Sequence, residues 1–151
     1  MKVFLGADHA GFALKEEIKR WLVGQGYEVE DKGAFSLDSA DDYPDFVAPV
    51  ARAVAEDPKE RRGIVLGGSG QGEAMVANRF AGVRAAVYYG GPTAIIQLSR
   101  EHNDANILAL GARFVSEAEA IAAVGRWLAT LFSGDERHVR RIGKIASDTV
   151  A

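Results

Sequence analysis

Residues Ile64-Val65-Leu66-Gly67-Gly68-Ser69-Gly70-Gln71-Gly72-Glu73 decide how this chain is read. A short apolar run rich in β-branched side chains empties into a glycine loop and then opens a stretch of helical character, Ala74 to Phe80. Strand, glycine loop and helix in succession bring bare backbone N–H groups and a helix N-terminus up to an anion. The loop ends on a carboxylate, Glu73, where phosphate cradles usually carry a neutral or basic residue. N–H donors gathered beside a candidate base suit chemistry that builds negative charge on oxygen. The loop is not a dinucleotide fingerprint, because Glu73 takes the place of the third glycine, and it lacks the Gly-Lys-Ser/Thr ending of a P-loop. A plainer alternative is a tight strand-to-helix turn, with Glu73 a first-turn acid favoured by the helix dipole. That dipole also lowers the pKa of Glu73, so a basic role requires desolvation to oppose it.

Outward from this loop, two kinds of segment alternate. Lys2 to Leu5, Glu28 to Glu30, Gly63 to Leu66, Arg84 to Tyr88 and Ile107 to Leu110 read as short strands. Between them, helical spacing is expected over Gly11 to Gly24, Pro44 to Glu56, Gly72 to Phe80, Pro92 to Glu101 and Ser116 to Phe132. The last opens with Ser116 three residues before Glu119, a capping-box pattern. Five strands alternating with helices predict a parallel α/β sheet covered on both faces. Ligands of such sheets bind beyond the carboxyl ends of the strands. After Ser133-Gly134-Asp135 a basic segment follows, Glu136 to Ser147, which either packs on its own domain or reaches a partner.

The chain has 151 residues, 48% hydrophobic and 26% charged, which fits one globular domain. Without cysteine, disulfides, thiolate nucleophiles and cysteine-based metal sites are excluded. No signal peptide or membrane span is evident, and a cytoplasmic location is expected. The net charge of −3 offers no general attraction for nucleic acid. Acidic residues crowd Asp38 to Asp45, whereas Arg137, His138, Arg140, Arg141 and Lys144 gather near the C-terminus.

Polar residues that can carry chemistry fall where such a sheet would place a site. Asp8-His9 follows the first strand, and an acid beside a histidine there can orient a hydroxyl and move its proton. Asp8 equally suits the cap of the following helix. His102-Asn103-Asp104 precedes the fifth strand and can be a plain turn. Arg113 lies just beyond that strand. Arg137, Arg141 and Lys144 fall on one helix face, either solvated or gripping phosphate in fork geometry. His9, His102 and His138 show no metal-ligand spacing, so no metal is expected.

Taken in order, the pieces resemble the type B ribose-5-phosphate isomerase family, the group that also holds galactose- and allose-6-phosphate isomerases. The matching segments are Gly6 through Gly11, Asp42-Tyr43-Pro44, Gly67 through Asn78, Gly82 through Ala85, Arg100 through Asn106 and Glu136-Arg137-His138. They run over nearly the whole chain, about Lys2 to Ile145. Many members carry a cysteine base at the position of Gly67. This chain is similar to the branch with the form Gly-Gly-Ser-Gly-x-Gly-Glu, which assigns the base to Glu73.

The resemblance implies a Rossmann-like three-layer αβα sandwich with a five-stranded parallel sheet and a C-terminal helical extension, as a single isomerase domain over residues 1–151. It implies a cofactor-free aldose–ketose isomerase of ribose 5-phosphate that works through a cis-enediolate. Glu73 would move the proton, while Ser69 and the N–H groups of Gly70, Gln71 and Gly72 stabilise the oxygens beside Gly68. Asp8 and His102 would assist ring opening, and His9 and Asn103 would hold hydroxyls or phosphate. Arg113, Arg137 and Arg141, with His138 beside them, would bind phosphate. The expected assembly is a homodimer, with a tetramer as the alternative, whose sites borrow residues such as Arg137 and Arg141 from the neighbour. The segment from about residue 135 to 151 would then pack on the partner. Two rivals stand beside this reading: isomerisation of an allose, galactose or erythrose phosphate, and a non-catalytic phosphosugar-binding module. Glu73 speaks against the latter, because its charge would repel a phosphate bound at the loop.

Overall fold

A computed structural model describes residues 1–148, with side chains as far as residue 146. The elements run β1 (Lys2–Ala7), α1 (Phe12–Gly24), β2 (Glu28–Asp31), α2 (Pro44–Ala55), β3 (Arg61–Gly67), α3 (Gln71–Ala77), β4 (Ala85–Tyr88), α4 (Ala94–Glu101), β5 (Ile107–Gly111), α5 (Glu117–Ala129) and α6 (Glu136–Asp148). The strands form one sheet in the order β2-β1-β3-β5-β4, every pairing parallel.

Why β3 is central is visible in its side chains. Ile64, Val65 and Leu66 are all fully buried, since a parallel sheet covered on both faces has no solvated side. Alternation sends Ile64 and Leu66 to the layer that holds Ile18, Leu22, Val124 and Trp127 of α1 and α5. Val65 faces the opposite layer, with Val47, Val50 and Val54 of α2 and Ala74 and Ala77 of α3. Each such aliphatic side chain contributes roughly 1.5–3 kcal/mol on burial. The doubly wound α/β arrangement expected from the alternation is the one observed.

Helix ends follow local chemistry. Ser116 and Glu119 form the full capping box at α5, the Ser116 oxygen accepting from Glu119 N–H and the Glu119 carboxylate accepting from Ser116 N–H. Helix α4 starts at Ala94 rather than Pro92, because Gly90 and Gly91 both sit at positive φ and Thr93 takes the N-cap. Helix α3 stops at Ala77, three residues short of the expected Phe80. The Asn78 side chain explains this: it exchanges hydrogen bonds with the backbone of Ala85 and turns the chain into β4. Helix α5 ends at Ala129, and Thr130 adopts an extended conformation.

The basic terminal segment is helix α6. Among its described side chains only His138 is buried, while the apolar Val139 and Ile145 stand half exposed. Residues 149–151 of the segment expected to pack on a partner lie outside the described residues.

Candidate active site

Three loops at the carboxyl edge of the sheet, with Tyr43 from the segment that leads into α2, build one cleft. They are the loop after β1 with Asp8, the glycine loop after β3, and the loop after β5 with Arg113. Asp8, Tyr43, Gly68, Ser69, Gly72, Glu73, Arg113 and Phe114 line a volume of ≈ 350 Å³. That is enough for a small phosphorylated metabolite.

The glycine loop is tied to its neighbours by backbone. Ala112 N–H donates to Gly67 O at 2.8 Å and Arg113 N–H to Gly68 O at 3.2 Å. Gly70 caps α3 in the left-handed region at φ 78°, which turns the chain from strand to helix within three residues of Gly67. Ser69 Oγ accepts from Gln71 N–H at 3.4 Å. Arg113 reaches back over the loop, its guanidinium nitrogen 3.3 Å from where a side chain on Gly68 would begin.

Glu73 lies in the first turn of the helix that the loop opens. Its side chain does not leave into solvent as a first-turn acid would; the residue is only 3% exposed. The carboxylate folds back over Gly67, so that a methyl group built on Gly67 would coincide with it. Burial pushes the Glu73 carboxyl above its ordinary value of 4.5, with the nearby Asp8 charge adding to the rise and the backbone N–H groups of Glu73 and Gly70 opposing it. Desolvation therefore already exceeds the opposing pull of the helix terminus in the free protein. A carboxylate poised in this way is a stronger base than one in water.

Asp8 serves both readings open to it. It accepts from Ala10 N–H at 2.9 Å and Gly11 N–H at 3.2 Å, closing the turn into α1, while also lining the cleft. His9 beside it is held by Asp41, a residue 32 positions away in the loop between β2 and α2. Asp8, His9 and Asp41 each bring a metal-ligating atom within 4.8 Å of the others, and one pair among them, His9 Nδ1 and Asp41 Oδ1, is already joined by a 2.7 Å hydrogen bond.

The remaining residues singled out in the sequence lie elsewhere. His102 and Asn103 precede β5, and so sit at the amino edge of the sheet. The five residues of β5 separate them from the cleft by ~15 Å at ~3.3 Å per residue. His102 stacks on His138 of α6, ring centroids 4.3 Å apart and planes 17° from parallel. His138 Nε2 is buried without a hydrogen-bond partner, and burial, with His102 and Arg137 nearby, lowers its pKa. Arg137 and Arg141 are exposed on the same helix. The structure thus gathers the expected residues into two sets on one subunit. Asp8, His9, Gly68 to Gly72, Glu73 and Arg113 form one, and His102, Asn103, Arg137, His138 and Arg141 the other.

Sequence reasoning gave no role to the residues that fix these sets. Arg84 donates to Asn103 O at 2.9 Å and to the Asp104 carboxylate at 2.9 Å. Arg100, 4% exposed, donates to Asp104 Oδ1 at 2.8 Å and Ala105 O at 2.6 Å. Together they mount the His102 turn, in which Asp104 takes φ 44°. Their only sequence signal is their place in the resembling segments, since guanidinium-to-carbonyl contacts leave no spacing pattern.

Comparison with known proteins fits this geometry. The model of the ribose/galactose isomerase family matches residues 3–145. The chain belongs to this family. Ribose-5-phosphate isomerase B of Mycolicibacterium paratuberculosis is 46% identical over 146 residues, 97% of this chain and 90% of that one. The Escherichia coli protein of that name is 43% identical over 97% of this chain and 95% of its own. Among solved structures, ribose-5-phosphate isomerase B from Mycoplasma genitalium with bound ribulose-5-phosphate superposes at a TM-score of 0.93. It is 38% identical and covers 97% of this chain and 95% of that one.

Proposed function

We propose that this member of the ribose/galactose isomerase family interconverts ribose 5-phosphate and ribulose 5-phosphate, with Glu73 as the base. The carrying observation is the Glu73 carboxylate, buried and folded over Gly67 at the carboxyl edge of the sheet. The family resemblance implies that many members carry a cysteine base at the position of Gly67. In this chain the glutamate fills the space that such a side chain would take, which supports placing it in the branch that uses the glutamate.

The reaction follows from the groups in the cleft. Glu73 takes the proton from C2 of the open-chain aldose. The electron pair moves into a C1–C2 double bond, and the carbonyl oxygen at C1 becomes an oxyanion. Ser69 and the N–H groups of Gly70, Gln71 and Gly72 donate to the enediolate oxygens; one such donor is typically worth ~10²–10³ in rate. The protonated Glu73 returns its proton to C1 while the hydroxyl proton at O2 passes to O1, completing the ketose. Arg113 and His9 hold the phosphate dianion. The reading includes no cofactor, a single-domain subunit over residues 1–151 and a cytoplasmic place of work.

The working unit is a homodimer in this reading. His102, Asn103, Arg137, His138 and Arg141 sit at the wrong edge of their own sheet for the cleft beside Glu73. A partner that turns its amino edge to this carboxyl edge would supply them, and the exposed apolar side chains of α6 suit such a contact. The partner's copy of His102 would then assist ring opening opposite Asp8.

Ribose 5-phosphate incubated with the chelator-treated protein tests the reading, wild type beside Glu73→Gln. Formation of ribulose 5-phosphate by wild type alone is expected. Equal turnover by both would overturn the assignment of the base, and a folded but inactive wild type would overturn the substrate.

A further inference from the structure

The Asp41 carboxylate stands outside the reaction just described, yet it is built into the site. Its side chain is 9% exposed within a loop whose neighbours are mostly solvated. It accepts twice from one residue: from His9 backbone N–H at 2.9 Å and from His9 Nδ1 at 2.7 Å. Its other oxygen, Oδ2, is buried without a hydrogen-bond partner. A buried carboxylate with one satisfied oxygen is costly unless a positive charge compensates it. His9 is the group in place to supply that charge.

We propose that Asp41 is a positioning residue that holds His9 as an imidazolium, with Nδ1–H fixed on the carboxylate and Nε2–H left as the donor for the substrate's phosphate beside Arg113. This rests on the reading of the cleft as a sugar-phosphate site. Three charged groups face His9. Asp41 comes from the loop after β2, Asp8 from the loop after β1 and Arg113 from the loop after β5. The hydrogen bond to Asp41 is the main influence raising the His9 pKa above its ordinary 6.5, against desolvation; Asp8 adds to the rise and Arg113 opposes it. Fixing one ring nitrogen also fixes the direction of the other, which is how second partners orient an imidazole. Within its own subunit Arg113 meets the phosphate with one cation and two or more donors; His9 adds a further cation from the same subunit at a set angle.

The sign of the pH dependence follows. With Asp41 in place, the His9 midpoint lies above the ordinary 6.5, so the ring loses its proton at higher pH than a free imidazole. In Asp41→Asn the shape is kept but the ring deprotonates at lower pH. The ratio of variant to wild-type KM for ribose 5-phosphate is then expected to be about tenfold near pH ~7.5 and to shrink below about threefold near pH ~5.5, with kcat within about twofold. The titration of the substrate phosphate is common to both proteins and cancels in the ratio. Asp41→Glu, which keeps the charge, should restore most of the loss. In a His9→Asn background, Asp41→Asn should change nothing further, because its effect passes through His9.

The His9 ring resonances, followed by NMR across the same pH range with inorganic phosphate added, give a readout independent of turnover. The midpoint should fall in Asp41→Asn, and the phosphate-induced shift at neutral pH should disappear with it. An unchanged midpoint, a KM ratio flat with pH, or an equal effect without His9 would each overturn the proposal. If wild type binds phosphate in an Asp41-dependent way yet leaves ribose 5-phosphate untouched, the sugar-phosphate reading fails and the role of Asp41 stands.

Discussion

Replacing Gly67 by alanine separates the position of the Glu73 carboxylate from its chemistry. Gly67 ends β3 in register with Gly111, its oxygen accepts from Ala112 N–H at 2.8 Å, and its φ is not among the positive values, so the backbone accepts alanine. The obstacle is the side chain. The new methyl would coincide with the carboxylate, which must retreat by about 1 Å at its carbon and about 2 Å at Oε1 to reach ordinary non-bonded contact at ~3.5 Å. The carboxylate is at the end of a side chain with rotatable bonds, so it moves rather than the sheet, and overpacking costs about 1–3 kcal/mol. A misplacement of ~1 Å in a reacting group costs about 100-fold, or ~2.7 kcal/mol in the barrier. The expected result is kcat for ribose 5-phosphate lowered about 100-fold, with KM changed less than about threefold. Conversion to ribulose 5-phosphate measures this, with a thermal melt confirming the fold. A Gly67→Ala protein with kcat within about threefold of wild type would refute the idea that the carboxylate works from above Gly67.

Other consequences can be checked on the same protein. Because the Glu73 pKa is raised in the fold, its ionisation opposes folding: the penalty is absent below the unfolded value of 4.5 and develops as pH rises through the folded pKa. Glu73→Gln should therefore melt above wild type at neutral pH, with the gap closing near pH ~4. Lys15, fully buried, donates to both oxygens of Asp31 at 2.8 and 2.7 Å and to Ala34 O at 2.8 Å. Lys15→Met leaves Asp31 with Lys19 and the Gly33 N–H as its partners and should cost about 3 kcal/mol in urea unfolding. Desolvation pushes the Asp31 pKa up, but the lysines outweigh it and leave the carboxyl below its ordinary 3.8, so its stabilisation is present above that pH and fades as pH falls through the folded value. If sites are shared between subunits, mixing inactive Glu73→Gln with an inactive Arg137→Ala/Arg141→Ala chain should restore activity in one of the two sites of each mixed dimer. No recovery after proven subunit exchange would count against sharing.

The sheet was legible because its signals are local. Apolar runs such as Ile64 to Leu66 and Ile107 to Leu110 need no tertiary information to be read as buried strands, and Ser116 with Glu119 announces α5 by itself. Boundaries slipped where a distant partner decides them, as when Asn78 ends α3 by bonding to Ala85. Glu73 could be singled out from its place in the loop, but not the fold-back over Gly67 that raises its pKa, since burial depends on several converging segments. Asp41 was invisible for a related reason. It looked like one acid among the many from Asp38 to Asp45, and only the folded loop brings it to His9. The split of the expected residues between the two edges of the sheet follows from topology: a residue before a parallel strand and a residue after it cannot meet within one subunit.

The central claim is that Glu73 moves the C2 proton. The direct measurement is the exchange of that proton with solvent, followed by NMR of ribose 5-phosphate incubated in deuterated water with wild type and with Glu73→Gln. The account predicts deuterium entering the sugar with wild type and none with Glu73→Gln while that variant still binds the substrate. Deuterium incorporation at a comparable rate with Glu73→Gln would contradict it.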